Sequence, residues 1–266
     1  MEQRETVVEV KDLVKKFGDR AVLNGVSLKI RKGETFVIMG GSGCGKSTLL
    51  RHMIGNLKPT SGSVFLLGQD ITEKYGADLD EVRKKIGMSF QSSALFDSMT
   101  VAENVSLPLV EHTKIEPSII DIMVKMKLEL VGLRGFEDLL PSEISGGMKK
   151  RVGLARAIAM DPQIIFYDEP TAGLDPIVAA VIDKLIIDLS QKLNVTSVVV
   201  THDMKSVMAI ADRIAMLYEG KVLEVGTVDE IKNSPNEMVQ QFINGNFDGP
   251  IKFFQQKDDY LETLTQ

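Results

Sequence analysis

Residues 35–48 combine a short apolar run, a glycine-rich loop and the start of a helix. The run 36–39 has the composition of a buried parallel strand. The following loop fits G-x-x-x-x-G-K-[ST], a pattern in which backbone N–H groups and a helix N-terminus bind phosphate oxygens. Here it reads Gly40, Gly41, Ser42, Gly43, Cys44, Gly45, Lys46, Ser47, followed by Thr48. Because strand, loop and helix occur in the required order, the sequence predicts a nucleoside triphosphate site.

Four side chains carry the chemistry expected at such a site. Lys46 can reach the β- and γ-phosphates, and the Ser47 hydroxyl can hold Mg²⁺. Asp168 and Glu169 end a second apolar strand. Asp168 is expected in the Mg²⁺ coordination shell, and Glu169 is expected to orient and polarise the attacking water. Paired acids before a proline can also cap a helix, but the phosphate loop upstream favours the nucleotide role.

Two further polar residues follow apolar strands. Gln91 can offer its amide oxygen to Mg²⁺ or to the attacking water, and His202 can hydrogen-bond the γ-phosphate. The simpler alternatives are a surface-loop glutamine and a structural histidine. Ligands of parallel sheets bind at the C-terminal ends of the strands. We therefore expect the glycine loop, the two acids and His202 to gather at one edge of a sheet.

A second anion site is predicted at Ser145, Gly146 and Gly147. These residues open a helix and offer a hydroxyl and unpaired N–H groups. One nucleotide cannot use two helix N-termini on opposite sides of one chain. The economical arrangement is a homodimer, in which this site of one copy closes on the γ-phosphate held by the other.

The overall composition restricts the class of protein. The chain has 266 residues and a net charge of −6, so general nucleic-acid binding is not indicated. Its one cysteine, Cys44, excludes an intrachain disulfide and fits a reducing compartment. No apolar run approaches the ~18 residues of a membrane span, and residues 1–10 lack the apolar core of a signal peptide. We expect a cytoplasmic protein that reaches a membrane only through a partner.

The elements that position these residues alternate between strands and helices. Residues 7–30 form short β-type segments, which predict an antiparallel layer before the phosphate-loop strand. Later apolar strands are separated by helices, which predicts a mostly parallel core sheet with helices on both faces. The predicted α/β fold has a core over 1–91 and 161–242, a helical sub-domain over 92–160 and a C-terminal extension over 243–266.

The helical segment is rich in methionine. One predicted face contains Ile119, Ile122, Met123, Met126 and Leu130. Such a stripe is more often core than a binding surface, so we expect it to be buried. Part of it must nevertheless face a partner if this segment is a docking sub-domain.

Taken together, the motifs resemble those of ABC-type ATPases. The resemblance extends to about residue 245 and rests on GGSGCGKS, Gln91, ISGGM, IIFYDEP, AGLD and THD in the family's order and spacing. It implies an ATPase that uses ATP and Mg²⁺. It also implies that Phe17 stacks on the adenine, that Glu169 is the catalytic base and that His202 is the switch histidine.

The same resemblance implies roles for residues away from the phosphate loop. Gln91 begins the loop that couples to a transmembrane partner. Ser145, Gly146 and Gly147 form the signature that completes the ATP site of the second copy. Asp175 belongs to the loop that joins the sites of the two subunits.

The signature departs from the family's usual pattern at Met148, where glutamine is usual. Because Ser-Gly-Gly is intact, we expect activity to survive. The SGGM form, the segment MKLELVGL and the tail GNFDGPI are similar to ATPases of the Mla/Mce-type phospholipid-trafficking ABC systems of Gram-negative bacteria. This implies a homodimer on the cytoplasmic face of the inner membrane, beneath permease subunits. An Mce-domain lipid-binding protein and a STAS-domain protein are the further partners implied.

Two rival functions remain open, an importer of a small solute and a non-transport ABC ATPase. The spacing between Lys46 and Ser145 leaves no room for the long coiled coils of the repair types. The chain also has a single cassette, unlike most translation-associated types. Glu169 argues against a pure nucleotide-binding regulator, which would not need a catalytic base.

The chain beyond Phe242 is too apolar for a frayed tail. Its large apolar residues include Phe247, Phe253, Phe254, Tyr260 and Leu261. We expect it to pack on the second subunit or on an accessory protein.

Overall fold

The computed structural model describes residues 5–251 and contains two sheets with helices packed around them. The strands are β1 (Thr6–Phe17), β2 (Arg20–Arg31), β3 (Thr35–Met39), β4 (Ser61–Leu66), β5 (Gln69–Asp70), β6 (Ile86–Ser89), β7 (Ile164–Asp168), β8 (Thr196–Val200), β9 (Arg213–Tyr218) and β10 (Lys221–Thr227). The helices are α1 (Lys46–Met53), α2 (Gly76–Arg83), α3 (Val101–His112), α4 (Pro117–Leu130), α5 (Gly146–Ala157), α6 (Pro176–Leu193), α7 (Met204–Ile210), α8 (Val228–Lys232) and α9 (Glu237–Asn244).

The larger sheet has the order β10-β9-β3-β8-β7-β6. Strands β9, β3, β8, β7 and β6 run parallel to one another, and the edge strand β10 pairs antiparallel with β9. Every residue of β3 and β8 is buried, as expected for parallel strands covered on both faces. The C-terminal ends of β3, β6, β7 and β8 therefore meet at one edge, which confirms the predicted parallel core.

The smaller sheet is antiparallel and has the order β2-β1-β4-β5. Its buried face includes Val8, Val10 and Leu13 of β1, which lie in one apolar cluster with Phe36 of β3 and Leu49 of α1. This layer thus supports both the strand before the phosphate loop and the helix after it. The predicted N-terminal antiparallel layer is confirmed.

Helices α3, α4 and α5 pack together and form the helical region between β6 and β7. The N-terminus of α3 is fixed by a capping box, in which Thr100 accepts from the backbone N–H of Glu103 and the Glu103 carboxylate accepts from that of Thr100. Across residues 5–251, no helix combines the length and apolar character that a bilayer span requires.

The predicted buried face of α4 is wrong. The side chains that pack inward are Ile120, Val124 and Leu128, at successive i, i+4 positions. Ile122 is 59% exposed and Met126 is 62% exposed. Because α4 is apolar on most sides, its sequence contains two apolar stripes. Packing against α3 and α5 buries the stripe that contains Val124 and leaves much of the predicted stripe exposed.

The chain after α9 turns back onto that helix. The Gln241 side chain donates to the carbonyl of Ile251 at 3.1 Å and accepts from its N–H at 2.7 Å. Ile251 is buried in the main core cluster, whereas Phe247 is exposed. The first part of the predicted extension therefore packs on its own chain. The predicted contact of the remaining tail, 252–266, lies outside the described residues.

Candidate functional site

The glycine loop has a backbone that only glycine accommodates at its first position. Gly40 has φ 151°, and a Cβ there would lie 2.2 Å from the carbonyl oxygen of Leu217. The loop leads into α1, and the buried Lys46 folds back over it. Its ammonium donates to the carbonyls of Gly40 at 2.8 Å and Gly41 at 3.0 Å. These two hydrogen bonds therefore hold the lysine and the loop together.

A cavity of about 550 Å³ lies over this loop. Its lining residues predicted from the sequence are Gly41, Ser42, Gly43, Gly45, Lys46, Ser47, Thr48, Gln91, Glu169 and His202. Val22, Met204 and Phe242 complete the lining. Sequence reasoning missed these three because they come from distant parts of the chain, and an apolar residue carries no sequence signal of ligand contact.

The Ser47 hydroxyl and the Asp168 carboxylate, two of the groups expected to hold a metal, lie together beside the cavity. The Ser47 hydroxyl donates to Asp168 Oδ1 at 3.2 Å. Gln91 lines this cavity and an adjoining one that includes Asp168. Burial raises the pKa of Asp168, the Ser47 hydrogen bond opposes the shift, and the Glu169 carboxylate adds to it. Hydroxyl, carboxylate and amide oxygens are ligands that suit Mg²⁺, so these residues fit the predicted metal.

Glu169 and His202 form a pair at the centre of the strand-end edge. Glu169 Oε1 lies 2.9 Å from His202 Nδ1. A carboxylate oxygen is an acceptor and an imidazole N–H is a donor, so the contact suits the histidine tautomer with its proton on Nδ1. Glu169 is buried and has φ 46°, a left-handed backbone that is uncommon outside glycine and often found at functional sites. The arrangement holds one carboxylate at the cavity in a fixed orientation.

The signature residues lie away from this cavity. Ser145 and Gly146 are exposed at the N-terminus of α5, where the Ser145 hydroxyl accepts from the N–H of Met148 at 3.2 Å. A Cβ on Gly147 would lie 2.6 Å from Val178 Cγ1, so α5 and α6 approach closely here. Asp175 caps α6. The four signature and loop residues thus share a second edge, outside the cavity lining.

Apart from the signature edge, three residues predicted to bind the nucleotide, Phe17, Gly40 and Cys44, are not in the cavity wall. Phe17 is 53% exposed at the end of β1, with the Lys15 ammonium 5.1 Å from its ring centroid. Cys44 is buried, and its sulfur faces the backbone at Gly40. Burial raises the pKa of the Cys44 thiol. The buried position of Cys44 next to Gly40 is consistent with a small residue that fills space inside the loop.

The sequence profile of the ABC transporter family matches residues 23–172, more than half of the chain. The chain belongs to this family, and it is an ATP-binding cassette that hydrolyses ATP.

Individual relatives extend the match over almost the whole chain. The intermembrane phospholipid transport system ATP-binding protein MlaF of Haemophilus influenzae is 45% identical over 260 residues, which are 98% of each chain. The probable ribonucleotide transport ATP-binding protein mkl of Mycobacterium leprae is 43% identical over 95% of this chain and 73% of its own. A dimeric cassette, MJ0796 in a post-hydrolysis state with ADP and Pi, superposes with a TM-score of 0.77 at 34% identity and covers 83% of this chain and 98% of MJ0796.

Proposed function

We propose that this chain, as a homodimer, uses ATP hydrolysis to energise phospholipid transport between the membranes of a Gram-negative envelope, and so helps to maintain outer-membrane lipid asymmetry. The observation that carries the proposal is the 45% identity to MlaF of Haemophilus influenzae over 98% of both chains. In this proposal the chain acts as the ATPase subunit of an assembly whose other subunits span the membrane and move the lipid.

Nucleotide binding is assigned to the glycine loop. Lys46 is assigned to the β- and γ-phosphates. Its hydrogen bonds to the carbonyls of Gly40 and Gly41 hold the ammonium beside the loop, where these phosphates are expected to bind. Ser47, Asp168 and Gln91 would hold Mg²⁺, which would supply positive charge to the phosphate oxygens. Phe17 is assigned to the adenine ring, and the apolar wall of Val22, Met204 and Phe242 would exclude water beside the ligand.

Hydrolysis is assigned to Glu169, with His202 as its orienting partner. A general base must lie within hydrogen-bond reach of the water that it activates. Glu169 lines the cavity, and the 2.9 Å bond to His202 restrains its carboxylate. Preorganised groups of this kind lower the barrier because little reorganisation is needed at the moment of reaction.

The complete site is proposed to require a second copy of the chain. Ser145, Gly146 and Gly147 expose a helix N-terminus, which attracts anions, but they lie outside the cavity of their own chain. In a two-fold dimer each signature would face the phosphate loop of the other copy, with Asp175 at the junction. MJ0796, a similar cassette, is dimeric with ADP and Pi bound, which supports the dimer itself.

The permease is proposed to dock beside segment 91–94, which begins with Gln91. Phe90, Phe96, Phe136 and Leu140 are exposed apolar residues in this region. They belong to one neighbourhood, because Phe96 is bound by Asn104 of α3, and the 136–140 segment bonds the first turn of the same helix. Exposed apolar clusters of this kind are typical of interaction sites. Docking there would place the chain on the cytoplasmic face of the inner membrane.

Two accessory partners complete the proposal. The exposed apolar face of α4, with Ile122 and Met126, borders a cavity of about 790 Å³ and is the surface assigned to a STAS-domain protein. An Mce-domain protein would carry the lipid on the far side of the permease, without touching this chain. Both assignments rest on the resemblance to the Mla/Mce-type systems.

The test is to purify the intact assembly through this chain and identify its subunits and bound lipid by mass spectrometry. The proposal predicts a permease, an Mce-domain protein and co-purifying phospholipid. Recovery of a solute permease without a lipid-binding subunit would contradict it and favour an importer. The relative named for ribonucleotide transport makes nucleoside-phosphate cargo the specific alternative to examine.

A further inference from the structure

A buried lysine on the signature helix contacts the loop that contains Gln91. Lys150 is 8% exposed, and its ammonium donates to the carbonyl oxygen of Gln91 at 2.5 Å. Within residues 5–251, no carboxylate lies at salt-bridge distance from this ammonium. The charge therefore faces a backbone carbonyl, and the bond spans two elements that are 59 residues apart in sequence.

A second cation from the same helix binds the next part of the loop. The Arg156 guanidinium donates to the carbonyls of Ser93 at 2.6 Å and Ala94 at 2.8 Å. Ser93 and Ala94 have φ 61° and 46°, both in the left-handed region that non-glycine residues seldom adopt. Between the two cations, Gly153 brings the helix close to the loop, since a Cβ there would touch Ser93 at 3.4 Å. Segment 91–94, called the Gln91 loop below, is thus held to α5 along its length.

Stability alone does not explain a lysine at position 150. Burying an ammonium is unfavourable, and apolar residues of similar volume often replace buried charges without loss of stability. Burial lowers the pKa of Lys150, and the field of the Glu169 carboxylate opposes that shift. The lysine therefore lies within electrostatic reach of the proposed base and in direct contact with the Gln91 backbone.

We propose that Lys150 is a positioning residue that ties the Gln91 loop to the signature helix. Helix α5 begins at the Ser-Gly-Gly edge, so displacement of α5 on contact with the second copy would carry the Gln91 backbone with it. The inference rests on the roles proposed above for Gln91 and for the dimer, and it adds the physical link between them.

The test measures ATP hydrolysis by the full-length chain purified with its co-purifying partners. Lys150→Met removes the ammonium but keeps an unbranched apolar chain, and the matched control is Lys149→Met on the same helix. We expect Lys150→Met to lower kcat by about 10- to 100-fold, because a catalytic group misplaced by about 1 Å has an effect of that order. KM for ATP and the thermal midpoint should stay near the values of the control. Lys150→Arg, which keeps cationic donors, should restore most of the rate.

A double-mutant cycle with Gln91→Ala separates positioning from general structural support. If Lys150 acts through Gln91, Lys150→Met should have little further effect in the Gln91→Ala background. An undiminished effect in that background, or a kcat equal to that of the Lys149→Met control, would overturn the inference. If Lys150→Met does not fold, Lys150→Gln, which stays polar, takes its place in the same cycle.

The single variants also separate this inference from the proposed function. If Gln91→Ala and Glu169→Gln both leave the rate unchanged, the proposed site itself is wrong. If both slow hydrolysis and the Lys150 variants do not, only the tie between loop and helix is wrong. Faster amide hydrogen exchange in a peptide covering 90–96 in Lys150→Met would support the tie independently of the rate.

Discussion

The phosphate-loop edge and the signature edge of this chain differ in how complete they are. At the first edge, Lys46 is bonded to its loop, Ser47 to Asp168, and His202 to Glu169. All of these groups belong to one chain; Lys46, Ser47, Glu169 and His202 line one cavity, and Asp168 lines the adjoining one. At the second edge, Ser145 and Asp175 bond only the first turns of their own helices, and the Ser145–Gly146 surface is exposed.

This difference indicates how the work of the site is divided. At the phosphate-loop edge, hydrogen bonds within one chain hold Lys46, Ser47 and Glu169 in place. The signature edge offers helix N–H groups that can bind an anion, but it lies outside the cavity over the phosphate loop of its own chain. We propose that a second copy supplies what each edge lacks, so that closure of the dimer and completion of the ATP site are one event.

Loss of the phosphate-loop lysine should have the largest effect. Lys46→Ala removes the ammonium directed at the phosphates, so we expect hydrolysis to fall by about a hundredfold or more, the order found when one stabilising group is deleted. Binding of a fluorescent ATP analogue should weaken as well. The control is Lys32→Ala at an exposed turn, which should behave like the unmodified chain. Retained hydrolysis in Lys46→Ala would mean that this loop is not the ATP site.

Loss of the proposed base should separate binding from hydrolysis. Glu169→Gln keeps the shape of the side chain but removes its basicity, so turnover should fall by about a hundredfold or more. ATP binding should persist, and an ATP-loaded dimer should accumulate in size-exclusion chromatography. Glu219→Gln is a matched control, because Glu219 has the same φ of 46° and lies in the exposed β9–β10 turn. Turnover near the control value would exclude Glu169 as the base.

The signature edge should give a smaller effect of a different kind. Ser145→Ala should lower turnover by about tenfold, as expected for a lost hydrogen bond to a charged group, and leave ATP binding by the separate chain unchanged. The substitution also removes a helix cap, which typically costs about 1 kcal/mol of stability. Thr227→Ala removes the equivalent cap of α8, away from both edges, and should destabilise without slowing hydrolysis. Equal turnover in the two variants would argue against a signature role.

The cysteine of the loop should matter least. Cys44→Ala should change turnover less than Lys46→Ala, Glu169→Gln or Ser145→Ala, because the sulfur faces Gly40 and Cys44 does not line the cavity. Since burial raises the pKa of the thiol, little thiolate forms near neutral pH, and alkylation should be slow and should accelerate as pH rises. Rapid alkylation at neutral pH, measured by mass spectrometry, would contradict the buried placement.

Much of the phosphate-loop edge could be predicted from the sequence. A complete phosphate motif fixes local backbone geometry, and the parallel order of β3, β6, β7 and β8 forces the residues after each strand to one edge. Position along the chain and position in space are therefore linked by the topology of the sheet. This is why the sequence predicted that the glycine loop, Glu169 and His202 would gather.

The wrong or missing predictions concern features that depend on tertiary packing. The sequence of α4 contains two apolar stripes, and only the contacts with α3 and α5 select the one with Val124 over the one with Met126. The contact of Lys150 with a carbonyl of the Gln91 loop has no sequence signature, because any backbone can accept such a bond. The hydrogen bonds by which the Gln241 side chain holds the backbone of Ile251 could not be predicted from the sequence either.

The central claim is that each ATP site is shared by two copies, and a proximity measurement tests it most directly. In a chain that carries Cys44→Ala and Glu169→Gln, cysteines introduced at the exposed Ser42 and Ser145 would be treated with a short bifunctional thiol reagent. The shared-site account predicts a covalent dimer that forms with ATP and is absent when either introduced cysteine is omitted. A cross-link within one chain, or no dimer while ATP is bound, would contradict it.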